Sequence, residues 1–404
     1  MMNSWDLSLR ARGIVLTGME KPVVLCAIDW IGIANGAQDA FKEALAAAAG
    51  TTPDHVVVHT IHQHDAPICD FTAEEILKEA GIEPMSYQGD FAREVIGRLQ
   101  DAIRISLQQP QPVTHIGMGR APVYQVASNR RIMKADGTME VMRATACKDS
   151  ALRAKPEGLI DPDVSLLTFW NEERPLAVLS FYACHPQSYY LTKVANPDFP
   201  GVARFYRQLE VPEALHVHFN GAGGNIGAGK YNDGSFENRM LLAERLADGM
   251  ARAWKNSENS RVSINDVSWQ TEPVALPIAK GEKERIEAEM AEKDMRYRTN
   301  NLGRLGWIKR REAGRTIDIA CLGVGSARVL FMPGELFVEY QLAAKDYRKD
   351  LFVAMAAYGD YGPFYIGTKA AYQQGGYEIK SSPVTAGSED ILMNAMKKLL
   401  GVAP

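Results

Sequence analysis

The sequence predicts an α/β fold with a mixed β-sheet core and flanking helices. Three helical patterns, at 40–49, 91–105 and 236–254, alternate with short apolar runs, and such alternation is typical of α/β proteins. The runs at 166–170 and 177–182 flank the turn sequence 171–175, which predicts a hairpin and therefore mixed strand pairing. The predicted strands are 23–28, 55–61, 115–118, 166–170, 177–182, 215–219 and 328–332.

The domain organisation is predicted to be simple. A chain of 404 residues is long enough to bury a large core, and it contains no internal repeat, low-complexity tract or clear linker. We therefore expect one domain over residues 1–404. Residues 281–301 are highly charged with a helical pattern, and we predict a solvated excursion or a lid there.

Composition narrows the classes of partner. A net charge of -4 and a pI near 6.1 argue against a nucleic-acid surface, and no apolar run has the length of a membrane span. We expect a small-molecule substrate, no nucleic acid and no membrane partner, and a homo-oligomer is compatible with the sequence. Five cysteines without a CxxC pair indicate buried thiols. The predicted location is the cytoplasm, or the periplasm or exterior if a leader has been removed.

The first candidate site segment is 55–67, HVVVHTIHQHDAP. In extended chain, residues i and i+2 project to the same side, so His62 and His64 can face a common point. The alternative is a pair of surface histidines at a strand end. His59, farther back on the same strand, is predicted to be a packed or hydrogen-bonded core histidine.

Three later segments add polar groups at predicted strand ends. His185 precedes Pro186, which favours an extended backbone and so aims the ring; its alternative is an incidental histidine. Glu335 follows the strand at 328–332, although a carboxylate there also suits a helix start. Tyr365 and Tyr377 lie in a segment rich in tyrosine and glycine that suits a cleft-lining loop. Histidine nitrogens with one carboxylate are the ligands of a catalytic zinc ion.

Together these segments resemble the neutral ceramidase superfamily of zinc amidases. That family carries an HTHSGP segment, a histidine before Pro or Gly after an apolar strand, a PGE segment, and two tyrosines twelve residues apart. Their counterparts here, in the same order, are 62–67, His185-Pro186, 333–335, and Tyr365 with Tyr377. The resemblance extends from about residue 13 to residue 380.

The resemblance implies specific roles. One Zn²⁺ per chain is expected, although the same nitrogen and oxygen ligands also accept manganese or iron. His64 would lie just outside the metal, Tyr377 would stabilise the developing oxyanion, and Asn129 with Arg130 would line the substrate site. The implied metal ligands are His62, His185, Glu335 and Tyr365.

Departures from the family pattern argue against ceramide as the substrate. Gly227 stands where the family's GDVSPN segment has its essential serine, and Asp65 replaces the serine of HTHSGP. The chain also ends soon after the tyrosine segment, so the ceramidases' C-terminal β-sandwich is expected to be absent. We therefore predict a zinc-dependent hydrolase in which metal-bound water attacks an amide or ester carbonyl of a small soluble substrate.

Several residues are candidates for the remaining chemistry. The predicted base or proton shuttle is His64, Asp65 or Asp198, and the predicted oxyanion donor is Tyr377. The glycine-rich run 221–229 would form a floor that the substrate approaches closely, or else an ordinary strand-to-helix connection. Its candidate substrate-binding residues are Gly224, Asn225 and Gly227.

Three other interpretations are compatible with the sequence. The run 224–230 nearly matches a phosphate-binding loop, but Tyr231 stands where Ser or Thr would hold magnesium. His216 and His218 form a second His-x-His pair that could join His62 and His64 in an amidohydrolase-type barrel. A binding protein that kept the fold and lost its activity is the third.

Overall fold

The computed structural model describes residues 4–292 and 295–402, so residues 1–3, 293–294 and 403–404 of the predicted domain lie outside the described residues. The strands of the N-terminal half are β1 (Ser4–Trp5), β2 (Ala11–Leu16), β3 (Val23–Ile28), β4 (Gly32–Ala34), β5 (Val56–Thr60), β6 (Ile68–Asp70), β7 (His115–Pro122), β8 (Ser128–Asn129), β9 (Arg131–Met133), β10 (Met139–Met142), β11 (Asp163–Asn171) and β12 (Arg174–Tyr182).

The remaining strands follow later in the chain, and the α-helices are distributed over its whole length. Its strands are β13 (Val194–Ala195), β14 (Leu215–Asn220), β15 (Ile226–Gly227), β16 (Glu258–Arg261), β17 (Val267–Val274), β18 (Ile317–Val324), β19 (Ala327–Phe331), β20 (Glu335–Leu336), β21 (Phe352–Ala356) and β22 (Tyr365–Ile366). The α-helices are α1 (Asn35–Ala49), α2 (Phe71–Glu79), α3 (Asp90–Ser106), α4 (Ser150–Ala154), α5 (Asp198–Glu210), α6 (Asn238–Lys255), α7 (Glu282–Glu292), α8 (Met295–Glu312), α9 (Val338–Tyr347), α10 (Lys369–Gln374), α11 (Tyr377–Lys380) and α12 (Ser388–Leu399).

Three larger sheets form the centre of the molecule. Their strand orders are β14-β12-β11-β7-β16, β17-β18-β19-β21 and β2-β3-β5. Pairing within them is mixed, because β11 and β12 are antiparallel while β12 and β14 are parallel. The predicted hairpin and the predicted mixed α/β class are confirmed. The amidohydrolase-type barrel is wrong, because a barrel of that kind needs parallel strands closed on themselves.

The sheets pack on one another and the helices cover their outer faces. Apolar side chains from all three sheets meet in one buried cluster, which includes Leu25, Phe181, Phe219 and Phe331. Helices α1 and α3 pack on the three-stranded sheet, α5 and α6 on the five-stranded sheet, and α9 and α12 on the four-stranded sheet. Burial of these apolar faces provides the main driving force for this layered arrangement.

The seven predicted strands and three predicted helices all overlap observed elements. The predicted helices correspond to α1, α3 and α6, although α6 begins at Asn238 rather than at Phe236. All five cysteines are free and buried, as predicted. Within the described residues, each helix is too short or too polar to cross a bilayer.

The charged segment at 281–301 spans two helices rather than one excursion. In α7, Arg285 pairs with Glu282 and Glu289 across successive turns of a helix that is partly exposed and buries Ile286. The end of the segment differs from the prediction, since Leu302 next to it is fully buried and α8 continues into the core through Trp307. Residues 293 and 294 of the predicted excursion lie outside the described residues.

The topology brings five strand ends together. Strands β3 and β5, β12 and β14, and β19 and β21 are parallel pairs, so the carboxyl ends of the strands in each pair lie at the same edge. The segments that follow β5, β12, β14, β19 and β21 all carry residues singled out in the sequence. This is the edge at which the candidate site forms.

Candidate metal centre

His62 is directed into the site by a backbone kink after β5. Its φ is +65°, in the left-handed region that non-glycine residues seldom adopt, so the predicted extended His-x-His conformation is wrong. The amide of His62 donates to Trp30, and its Nδ1 lies 2.7 Å from the carbonyl oxygen of Ile31. These two bonds hold the buried ring, and its Nε2 faces the carboxylate of Glu335.

His185 enters from the end of β12. Its amide donates to the carbonyl of Ile226, and its Nδ1 lies 2.7 Å from the carbonyl oxygen of Gly223. The ring centroid is 4.9 Å from that of His62, nearly perpendicular to it. The segment after β14 therefore orients the histidine that follows β12.

Glu335 lies in β20, opposite Tyr365 in the parallel pair that β20 forms with β22. Helix α9 begins only at Val338, so the helix-start interpretation of Glu335 is wrong. The preceding Gly334 has φ +60°, and a Cβ there would be 2.5 Å from the carbonyl oxygen of Phe364. Only glycine fits this turn, which places the Glu335 carboxylate in the interior.

Nε2 of His62, Nε2 of His185 and Oε2 of Glu335 converge on one point in the interior. Oε2 of Glu335 is 3.0 Å from Nε2 of His185 and 3.4 Å from Nε2 of His62. A carbonyl oxygen can only accept, so each Nδ1 carries the ring proton and, in a neutral ring, each Nε2 presents a lone pair. None of the three atoms has a hydrogen-bond partner among the described residues.

The pKa shifts of these groups follow from burial and from their closeness to one another. Burial, followed by the charge of Arg130, lowers the pKa of His185 to about 4. Burial alone would raise the pKa of Glu335, but His62 and His185 outweigh it and hold that pKa well below its usual value. Converging buried lone pairs are unfavourable unless a cation lies between them.

The spacing fits a divalent metal. Two ligands of a tetrahedral zinc ion, each at 2.0–2.1 Å, lie roughly 3.3 Å apart, close to the separations found here. The nitrogen and carboxylate donors suit zinc, and the carbonyls bonded to both Nδ1 atoms fix the tautomers as outer partners of metal ligands do. His62, His185 and Glu335 are therefore arranged to hold such an ion.

His64 lies nearer the centre than the resemblance implies. One ligand nitrogen from each of His62, His64 and His185 can be chosen so that all lie within 4.8 Å of one another. His64 is also the partly exposed member of this group, and its Nε2 is without a hydrogen-bond partner in the described part of the chain. It thus stands between the buried ligands and the surface.

Tyr365 joins the site through Arg130. The Tyr365 hydroxyl is 3.2 Å from a guanidinium nitrogen of Arg130, and its ring lies parallel to that of His185 at 6.3 Å. Burial raises the pKa of Tyr365 well above its usual value, against the opposing effect of Arg130. Tyr377 lies farther out, with 53% of its surface exposed and its ring 5.8 Å from that of Tyr365.

Two predicted substrate-binding amides are engaged elsewhere. Asn129 donates to the carbonyl of Leu159 and accepts from the amide of Arg131. Asn225 accepts from the amide of Val338 at the start of α9, and its Nδ2 bonds to Glu339. Both are buried and hold neighbouring segments in place, so their predicted contact with substrate has no support from the geometry.

The two candidate carboxylate bases are also engaged. Asp65 accepts hydrogen bonds from both the amide and the hydroxyl of Thr192. Asp198 accepts from the amides of Ser188 and Phe199 at the start of α5, and burial raises its pKa. Both carboxylates hold backbone in place, which leaves His64 as the candidate with an unpaired nitrogen.

The glycine-rich run 221–229 after β14 forms part of the floor of the candidate site. A Cβ on Gly224 would lie 2.3 Å from the carbonyl oxygen of Glu335, so the absence of a side chain allows the two segments to touch. A Cβ on Gly227 would be 3.0 Å from the Thr145 hydroxyl, and this threonine therefore limits the space for a side chain at position 227.

The structure does not support a phosphate-binding loop or a metal site at the second His-x-His pair. Lys230 donates to the carbonyls of residues 153–155, and α6 begins eight residues later, so the phosphate-binding loop is wrong. His216 bonds to the carbonyl of Val211 and His218 to Ser180, both within or beside the five-stranded sheet. His59 is buried with Nδ1 2.7 Å from the carbonyl of Ala357, which confirms the predicted core histidine.

Sequence reasoning missed three residues that support the centre. The Tyr361 hydroxyl donates to Oε1 of Glu335 at 2.7 Å, and the Tyr358 ring stacks on His62 at 4.6 Å. The buried carboxylate of Glu378 lies between Arg130 and Arg131. The available signal was the density of tyrosines at 358–378, but composition alone does not distinguish which of them turn inward.

Comparison with known proteins identifies the fold. The sequence matches no family model and no curated protein. Among solved structures, a ceramidase complexed with C2 is similar at a TM-score of 0.68 and 14% identity, over 97% of this chain and 70% of the other. A neutral ceramidase from Pseudomonas aeruginosa is similar at 0.64 and 15% identity, over 98% of this chain and 69% of the other. The resemblance expected from the four motifs is thus confirmed at the level of structure, and this chain has the neutral ceramidase fold.

Proposed function

We propose that the chain is a metal-dependent hydrolase that cleaves an amide or ester of a small soluble substrate. The observation that carries the proposal is the convergence of Nε2 of His62, Nε2 of His185 and Oε2 of Glu335, each buried and without a donor among the described residues. A buried group of this kind is unfavourable in a purely structural role and is explained by a bound cation.

The proposed ligand set is His62, His185 and Glu335, completed by Tyr365 or His64. A bound zinc ion supplies Lewis-acid polarisation of a carbonyl oxygen and lowers the pKa of water. Tyr361 would keep the Glu335 carboxylate oriented by donating to its other oxygen. The carbonyls of Ile31 and Gly223 would do the same for the two histidines.

His64 is the proposed proton shuttle. Asp65 and Asp198 already accept hydrogen bonds from Thr192, Ser188 and Phe199, and these bonds give both carboxylates a role in holding the backbone. His64 has an unpaired Nε2 next to the candidate ligands and lies on the side open to solvent. A base must reach both the reacting group and an exit for its proton, and a partly exposed histidine beside the candidate ligands suits both requirements.

Charge that develops on the substrate oxygen would be stabilised by hydrogen-bond donors near Tyr365. The buried guanidinium of Arg130 contacts the Tyr365 hydroxyl and polarises it. The exposed Tyr377 lies next to Tyr365, nearer the surface. Donors already fixed in place are effective because they need little reorganisation during the reaction. Tyr377 is the proposed donor to the oxyanion.

The proposed substrate is smaller and more soluble than ceramide. Position 227 carries no hydroxyl, and Thr145 lies against the space that a side chain there would take. The interior of this site therefore differs from the family pattern at the residue expected to matter for ceramide. Chemistry by a metal, His64 and Tyr377 needs no side-chain nucleophile.

Elemental analysis combined with a substrate panel tests the proposal. We expect about one zinc per chain in the purified protein, and loss of that zinc in a His62→Ala, His185→Ala double variant. Zinc-loaded protein should hydrolyse members of a panel of p-nitrophenyl esters and p-nitroanilides, and the double variant should not. Absence of metal from both proteins after reconstitution with zinc would disprove the proposal.

A catalytically inactive binding protein of the same fold is the second candidate, because the engaged Asn129 and Asn225 and the missing serine remove groups expected at the site. Stoichiometric zinc with no turnover across amides, esters and lactones would favour it. The two candidates therefore differ in turnover and agree in metal content.

A further inference from the structure

We propose that residues 188–193 form a fixed rim that places Tyr190 beside His64, and that Tyr190 limits the bulk of the substrate group that reaches the centre. This proposal rests on the proposed function, because it assigns selectivity to the same site. It concerns the segment between His185 and α5, which sequence analysis did not single out.

The first end of the rim is held by buried polar side chains. The amide of Ser188 donates to Asp198 at 3.1 Å, and the carbonyl of Ser188 accepts from Asn232 at 2.6 Å. Arg239 donates to the Ser188 hydroxyl at 3.1 Å, and to the carbonyl and hydroxyl of Tyr189 at 2.7 and 2.9 Å. Asp198, Asn232 and Arg239 are themselves at most 4% exposed, so this anchor belongs to the core.

The second end is held by Asp65. Its carboxylate accepts from the amide of Thr192 at 3.0 Å and from the Thr192 hydroxyl at 2.8 Å, while its backbone carbonyl accepts from Asn196. Asp65 directly follows His64 in the chain. The rim is thus tied to the segment that carries the histidine.

Only Tyr190 and Leu191 lie between the two anchors. Leu191 and Lys193 have φ values of +63° and +64°, and the Leu191 side chain is 76% exposed. Such backbone angles are unfavourable for residues other than glycine, and the anchors on both sides explain how they are maintained. The turn has the effect of fixing where Tyr190 lies.

Tyr190 occupies the side of the site that is open to solvent. Its ring centroid is 5.5 Å from that of His64, with the rings inclined at 63°. Both residues are partly exposed, whereas His62, His185 and Glu335 are buried. A group attached to the substrate carbonyl that extends past His64 would therefore meet the phenol ring, and compact acyl groups would fit best.

Binding of hydroxamates to the zinc-loaded protein tests this directly, because these probes chelate metal and require no turnover. We would measure Kd by calorimetry for acetohydroxamate and for benzohydroxamate. In Tyr190→Ala, benzohydroxamate should bind at least tenfold tighter than in the unmodified protein, while acetohydroxamate changes less than twofold. Tyr124→Ala, at an exposed tyrosine beside Arg252, is the matched control and should change neither value.

Asp65 is a positioning residue in this proposal. Asp65→Ala should give the same change in the ratio of the two Kd values as Tyr190→Ala, and the double variant should give no more. Asp65→Asn keeps an acceptor for the amide of Thr192 and should restore most of the selectivity. Thr192→Val removes the bonds of the hydroxyl to Asp65 and to Val194, keeps the amide bond to Asp65, and provides a second variant that leaves Asp65 itself unchanged.

An equal effect of Tyr190→Ala on both probes, or no effect on either, would overturn the assignment of selectivity to Tyr190. Additive effects in the double variant would show that Asp65 does not act through the rim. If the unmodified protein bound neither zinc nor acetohydroxamate, the proposed function would fail, and the inference with it. The first two results leave the proposed function intact, so the failures are distinguishable.

Discussion

The chain contains two His-x-His segments that look alike in sequence and differ in structure. His62-Gln63-His64 follows the end of β5, and its two rings leave Nε2 atoms without partners among the described residues. His216-Val217-His218 lies inside β14, where His216 bonds to Val211 and His218 to Ser180. Both pairs have apolar or β-branched neighbours in the sequence, and both are largely buried.

The difference lies in where the strand stops. Within β14 the backbone continues and successive side chains alternate between faces, so the rings find partners in the sheet and helix around them. After β5 the chain kinks at His62, which turns the ring toward His185 and Glu335. A pair of histidines becomes a candidate metal site when the fold leaves its lone pairs unpaired.

The largest expected effect is on metal affinity. His185→Ala should weaken zinc binding more than 100-fold, since it removes one of three converging donors. His218→Ala should leave zinc affinity unchanged and lower the free energy of unfolding by about 3 kcal/mol, as a buried packed ring is removed. Competition with a chromophoric chelator measures the first effect, and urea unfolding the second.

Two results would contradict the proposed difference between the two His-x-His pairs. If His218→Ala released the metal, the second pair would belong to a metal site. Hydrogen bonds to the ring nitrogens would then not distinguish a structural histidine from a metal ligand. Unchanged zinc affinity in His185→Ala would equally contradict the proposed ligand set.

A smaller effect is expected from the groups that orient the ligands. Tyr361→Phe removes the hydroxyl that donates to Glu335 at 2.7 Å, and zinc affinity should fall about 10- to 100-fold. Tyr358→Phe is the matched control, because its hydroxyl is 3.5 Å from Nδ1 of His185, which already has a carbonyl partner at 2.7 Å. We expect less than a threefold change there, and equal losses in the two variants would rule out orientation by Tyr361.

Much of the fold followed from local patterns. Apolar runs located seven strands of the three larger sheets, although only β19 of the four-stranded sheet was among them, and the turn at 171–175 identified the antiparallel pair β11 and β12. Sheet order and the meeting of five strand ends could not be predicted, because they depend on pairing between residues far apart in sequence. The core half of α8 was also missed, since Arg304 and Arg310 give that helix a polar composition while Leu305 and Ile308 are buried.

The candidate site was predicted in part. His62, His185, Glu335 and Tyr365 come together as the resemblance implied, although the extended backbone assumed for His62 was wrong. Asp65, Asp198 and Asn225 form hydrogen bonds that hold backbone segments, and a polar side chain after a strand can either bind substrate or hold a loop. Sequence does not show which hydrogen bonds are already satisfied.

The second pair should also make stability depend on pH. Burial lowers the pKa of His218 to about 3, so below pH 6.5 the unfolded chain takes up a proton that the folded protein does not. Stability therefore falls with decreasing pH, by up to roughly 1.4 kcal/mol per pH unit for this residue. Urea unfolding with a chelator present should show a loss between pH 7 and pH 5 that is about 2 kcal/mol smaller in His218→Gln. Equal losses in the two proteins would mean that folded His218 accommodates the charge.

The smallest effects are expected at the central residues of the two pairs. Gln63 is fully buried and donates to the carbonyl of Asp29, which helps to hold the kink that turns His62 inward. Gln63→Ala should lower zinc affinity less than tenfold and the free energy of unfolding by about 1 kcal/mol, the usual contribution of one hydrogen bond. Val217→Ala should leave zinc affinity unchanged and lower stability by about 2 kcal/mol, because Val217 only packs in the core. If Gln63→Ala left zinc affinity unchanged, the bonds of His62 alone would hold the kink. The difference between the two pairs would then depend on where the strand ends and not on the residue between the histidines.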